Sequence, residues 1–148
     1  MIAIKLLFNI LFVFISYRDI KERILPESYL ILMLILSLIK NFQNFNLFNL
    51  YLSMSIFTFP IFIQMLIEFY IKKEIIGLGD IKLFTILSIY FCRTDLIFVY
   101  KFYTSLYIIG AIIVLIFRRI KGYFPFAPII YLTYIMGEFL LWIIKGSY

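Results

Sequence analysis

Two aspartates, Asp19 and Asp80, are the residues of this 148-residue chain best placed to do chemistry. The chain has no histidine and a single cysteine, Cys92. That composition excludes a Ser-His-Asp triad, a Cys-His dyad, an HExxH zinc site and an internal disulfide. Carboxylates, lysines, hydroxyls and the backbone remain. Of the eight acidic residues, Glu22, Glu27, Glu74 and Asp95 fall in loops and read as solvated charges. Glu68 precedes Lys72 by four positions, the spacing of a helical ion pair. Glu138 lies inside the last apolar run, where an ionisable group is costly and often functional. It is kept as a structural or substrate-facing candidate. Asp19 and Asp80 stand instead at the ends of apolar runs. Two carboxylates brought together away from bulk water resist double ionisation, share a proton and can activate a water against a carbonyl.

The elements that must position them are membrane helices. Hydrophobic residues make up 65% of the chain and charged residues 15%, against about 45–50% and a quarter in globular domains. A soluble chain this short has no way to hide so much apolar surface, so lipid must be its main solvent. Six apolar runs occur, at about 2–17, 27–42, 48–70, 81–93, 96–117 and 126–144. A span needs roughly 17–25 residues. The third, fifth and sixth reach that unaided, while the second and fourth are short. Ile, Leu and Phe content without polar alternation favours helices over a β-barrel. The expected fold is all-α: a polytopic integral membrane protein of about six transmembrane helices, with residues 1–148 forming one membrane-embedded domain. The first run lacks a small-x-small cleavage site before Arg18 and Asp19, so it is expected to stay as a helix, with no soluble domain on either side. Tyr17, Tyr51, Tyr70, Tyr123 and Tyr148 fall near the expected interfaces as an aromatic belt.

The formal charge is +6, but the basic residues sit in short loops rather than on a nucleic-acid-binding stripe. Nine of them, Arg18, Lys21, Arg23, Lys72, Lys73, Lys82, Arg118, Arg119 and Lys121, fall in the first, third and fifth loops. Lys5, Lys40, Arg93, Lys101 and Lys145 fall toward the other side. The positive-inside rule then makes the odd loops cytoplasmic and puts both termini outside. Two crossings separate Asp19 from Asp80, so carboxylates 61 positions apart return to one face. Asp80 follows Gly77-Leu78-Gly79. The glycines free the backbone and clear bulk so that an extended peptide can approach. Alone, the segment reads first as an ordinary turn into a helix capped by an aspartate. Two further crossings bring Phe124-Pro125-Phe126-Ala127-Pro128 to the same face. Prolines at a helix start are structurally ordinary.

Together, three stretches resemble the type IV prepilin leader peptidases and the archaeal preflagellin peptidases. They are Asp19-Ile20-Lys21-Glu22-Arg23-Ile24-Leu25-Pro26, the GxGD stretch Gly77-Leu78-Gly79-Asp80-Ile81-Lys82-Leu83, and Pro125-Phe126-Ala127-Pro128. The resemblance implies that Asp19 and Asp80 are the catalytic pair, with Gly77, Gly79 and Lys82 in the active-site motif. Pro26, Pro125 and Pro128 are then structural or substrate-facing. It also implies an aspartic endopeptidase that uses no cofactor or metal. Its substrates are pilin-like precursors with a basic leader, a glycine before the cut and an apolar helix after it. Glu27 departs from the asparagine of many members. The cysteine-containing methyltransferase region of many bacterial members is also missing, so cleavage without N-methylation is expected. Lys82 either pairs with a carboxylate, steers substrate or anchors its helix at the headgroups. The other readings are a non-enzymatic transport or assembly subunit, and a related peptidase that has lost activity. Membrane lipids are expected partners, and nucleic acid is not.

Overall fold

The computed structural model describes residues 2–42, 46–72, 76–116 and 125–146. Six helices follow one another: α1 Ile2–Glu22, α2 Glu27–Asn41, α3 Leu47–Ile71, α4 Leu78–Phe91, α5 Leu96–Ile116 and α6 Ala127–Gly146. No strand occurs among the described residues. Lys73, Glu74, Arg118, Arg119, Lys121, Tyr123, Phe124 and Tyr148, which the sequence reading used, lie outside them.

Two described helices, α3 and α5, are long and apolar enough to cross a membrane by themselves. Outward apolar side chains such as Phe59, Phe62, Phe69, Ile108 and Leu115 are exposed along them. By contrast, α4 has 14 residues, about 21 Å of helix against a hydrocarbon core of roughly 30 Å. It is the most enclosed element, buried at nine positions including every residue from Ile86 to Phe91. It packs against α2 on one side and α3 on the other, while α6 joins α1 to α5.

Buried rings fill the centre. Phe8 of α1 stacks on Tyr90 of α4 with centroids 4.2 Å apart, and Phe57 of α3 meets Phe102 of α5 at 4.9 Å. Lipid is as apolar as these side chains, so close packing and polar ties, rather than water exclusion, hold such helices together. The ties lie at one end of α4. Lys40 of α2 donates to the Tyr90 carbonyl at 2.8 Å and Asn41 to the Ile89 carbonyl at 2.7 Å. These are carbonyls at a helix C-terminus, which lack intrahelical donors. Glu138 of α6 belongs to this end, paired with Lys5 of α1 and lying 3.9 Å from Lys40. Within α3, Pro60 removes one backbone donor. The Tyr103 hydroxyl of α5 donates to the nearby Phe57 carbonyl at 2.6 Å.

Candidate active site

The other end of α4 carries the carboxylates. α1 continues past its apolar run to Glu22, and Arg18 and Glu22, four residues apart, pair at 2.6 Å along that extension. That continuation places Asp19 on the buried stripe Phe8, Phe12, Ile15, Ser16, Asp19. Asp19 is 8% exposed. Its Oδ2 accepts the Ala127 N–H at 2.9 Å, and the Phe126 N–H faces the same carboxylate. The two prolines explain why those donors are available. Pro128 has no N–H to offer, and Pro125 sets the extended approach into α6. Phe126 and Ala127 supply the free donors of the helix start, and Ile129 and Ile130 bond back to the Phe126 carbonyl. The N-terminal end of α6 thus points its partial positive charge at Asp19.

Asp80 lies in the first turn of α4 and is 6% exposed. Its N–H bonds the Gly77 carbonyl at 3.0 Å, and its carboxylate faces the Gly77 N–H. Both aspartates stand beyond the apolar runs of their helices. Burial raises Asp19 above the ordinary carboxylate value, while the Ala127 and Phe126 N–H groups oppose the rise. Burial also pushes Asp80 up, to about 7, and the charge of Asp19 adds to that rise. The two carboxylates therefore sense one another across 61 positions of sequence.

The glycines act differently from the sequence expectation. Gly77 caps α4 at φ −73°, ψ 147°, ordinary extended backbone. Gly79 makes room, but for the protein itself: a Cβ there would stand 2.6 Å from Leu25 Cδ1. Leu25 is placed by Pro26, which caps α2 and accepts from the Tyr29 and Leu30 N–H groups. The α1–α2 turn is thereby pressed onto the start of α4, next to Asp80. Replacing Gly79 by Ala should displace Leu25 and lower kcat/KM about tenfold to a hundredfold, the cost of roughly 1 Å of misplacement. Adding Leu25→Ala should recover most of the loss. A double variant no better than the single one in a leader-cleavage assay would refute this packing role.

Lys82 bonds Glu27 of α2. The two residues line an apolar groove of about 370 Å³ between α2 and α4, together with Leu30, Ile81 and Thr85. Glu27 and Lys82 are 74% and 54% exposed, so this ion pair contributes little stability. Glu138 is at the opposite end of the bundle and does not approach the aspartates. Three roles escaped the sequence. Glu68 accepts the Ile76 N–H at the turn leading into Gly77. Asp95 caps α5 through the Ile97 N–H at 2.9 Å. Leu25 fills the space beside Gly79. For Leu25 the available signal was its place just before Pro26, which fixes the backbone of the preceding residue.

Residues 6–115 match the model of the type IV leader peptidase family. The chain belongs to that family. The match covers both aspartates, while the Pro125–Pro128 segment lies beyond it. No curated protein matches the chain, and no solved structure does. Family membership makes this a protease, and with α3 and α5 a membrane protein.

Proposed function

We propose that this chain is an aspartic endopeptidase that removes the basic leader of type IV prepilin-like precursors, including pilins, pseudopilins and archaellins. The observation that carries the reading is the pairing of two nearly buried carboxylates from α1 and α4, with Asp19 cradled by the start of α6. The helix start favours the ionised form at Asp19, and burial beside that charge favours the protonated form at Asp80. Asp19 takes a proton from water as the water oxygen bonds to the scissile carbonyl carbon. Asp80 gives its proton to the carbonyl oxygen. The tetrahedral intermediate collapses, the C–N bond breaks, and the amine leaves with a proton. The pair returns to its single-proton state. Water attacks directly, so no acyl-enzyme forms, and these residues ask for no cofactor.

Arg18, Lys21, Arg23, Lys72 and Lys82 all belong to the aspartate end. That charge supports a multi-pass arrangement in the cytoplasmic membrane, with six crossings and the carboxylates at the cytoplasmic face. The leader then stays in the cytoplasm, and the apolar helix of the substrate lies in the bilayer beside the enzyme. To this stretch of chain we assign the cleavage step alone, without N-methylation.

The test is reconstitution in vesicles with prepilin-like precursors from the same genome, across a range of pH. The active state carries one proton on the pair, so the profile should be a bell. Its alkaline limb lies near pH 7, where the Asp80 proton leaves. Its acid limb lies above 3.8, because Asp19 is also raised from that value. Leader release that stays flat from pH 5 to 9 would rule out this proton-sharing mechanism.

A further inference from the structure

Ser16 stands one helical turn before Asp19 on the same buried stripe of α1 and is 7% exposed. Its hydroxyl oxygen is the buried side-chain polar atom without a hydrogen-bond partner among the described residues. Hydroxyls within helices commonly bond back to the carbonyl one turn earlier, and this protein follows that habit elsewhere. Ser37 bonds Met33, Thr58 bonds Met54, Thr85 bonds Ile81 and Thr133 bonds Ile129, all at 2.7–2.9 Å. Ser16 has the same option with Phe12 and does not take it. A buried hydroxyl left unpaired costs about 1–3 kcal/mol. Orphan polar groups in native structures therefore call for a ligand, a water or a functional role.

We infer that Ser16 is a positioning residue that holds the attacking water against the Asp19–Asp80 pair. The inference rests on the peptidase reading. One oxygen of Asp19 is occupied by the start of α6, through the Ala127 N–H. The Phe126 N–H faces the same carboxylate, but two carboxylate oxygens hold about four acceptor sites, which leaves room for a water. A buried water needs two to four polar partners. Asp19, Asp80 and the hydroxyl of Ser16 make up that number. The serine oxygen accepts from the water or donates to it, while Asp19 remains the group that takes its proton. Ser16 thereby fixes where the nucleophile sits without joining the proton transfer.

The experiment compares wild type, Ser16→Ala, Ser16→Thr and Asp80→Asn, reconstituted together with one precursor. Cleavage by wild type and its loss in Asp80→Asn report on the peptidase reading. The Ser16 variants report on the inference. Ser16→Ala should lower kcat about tenfold, the rate equivalent of one neutral hydrogen bond, with KM unchanged. Ser16→Thr, which keeps the hydroxyl, should recover most of kcat. Thermal unfolding in detergent supplies a readout that needs no activity: Ser16→Ala should melt no higher than wild type, because a hydrated hydroxyl is already satisfied. An unchanged kcat in Ser16→Ala would overturn the inference. A change confined to KM would do the same, since it assigns the hydroxyl to the peptide. A melting temperature raised by several degrees would show a dry hydroxyl and sink the water site whatever the kinetics.

Discussion

Asp80→Asn should abolish leader cleavage while making the protein harder to unfold at pH 8. The first half follows from chemistry. The asparagine side chain has the shape of the acid but neither delivers a proton to the carbonyl oxygen nor regains one. A loss of at least a thousandfold in kcat is expected, at the upper range for general acid–base groups. The second half follows from linkage. Asp80 is raised from 3.8 to about 7 in the folded protein. A group raised on folding favours the folded state fully below its unfolded value, and the benefit is lost as pH rises through the folded value. Wild type therefore loses stability between about pH 4 and pH 7, on the order of 4 kcal/mol for three units. Asparagine does not titrate, so it escapes the loss. Unfolding in mixed micelles should show the variant more stable at pH 8, with the gap closing toward pH 4. A variant that retains cleavage removes Asp80 from the chemistry. One that is less stable than wild type at pH 8 would show that Asp80 is not held above its ordinary value.

That trade-off explains why the aspartate end was only half legible in the sequence. The helices were readable because apolar runs mark them: the expected runs 48–70 and 96–117 became Leu47–Ile71 and Leu96–Ile116. The boundaries that moved lie at the site. The run starting at 81 became a helix from Leu78, because Gly77 caps it and Asp80 falls in its first turn. The run ending at 17 continued to Glu22, through the charged residues Arg18 and Asp19. Hydropathy stops at the first charge, whereas backbone hydrogen bonding continues through it. Counting apolar runs as alternating helices was enough to bring Asp19 and Asp80 to one end. It gave no view of the contacts that tune them, because those join distant segments: Asp19 to Ala127, 108 residues away, and Gly79 to Leu25. Glu138 shows the same limit. Its place in the last apolar run marked it as unusual, but only three-dimensional packing gives it Lys5 and Lys40 as partners.

Asp19 should respond differently to its two simplest replacements, and the difference separates its chemical role from its structural one. Asp19→Asn and Asp19→Ala should both lose cleavage by at least a thousandfold, since neither takes a proton from water. Their stabilities should diverge. The Ala127 N–H is aimed at this carboxylate, and Ala127 is fully buried, so water does not replace the acceptor. Asparagine still presents a carbonyl oxygen to that N–H. Alanine leaves it unpaired at a helix start where Pro128 allows no rearrangement of donors, a penalty of about 1–3 kcal/mol. Compared below pH 4, where neither raised carboxylate costs stability, Asp19→Asn should therefore unfold near wild type, and Asp19→Ala several degrees lower. Both variants also remove the charge that raises Asp80. In each of them an infrared titration of the Asp80 carboxyl should move to lower pH, toward the value set by burial alone. A pair of variants equal in stability would mean that α6 does not depend on Asp19 for its start. An Asp80 titration unmoved by the loss of Asp19 would mean that the two carboxylates do not form one site.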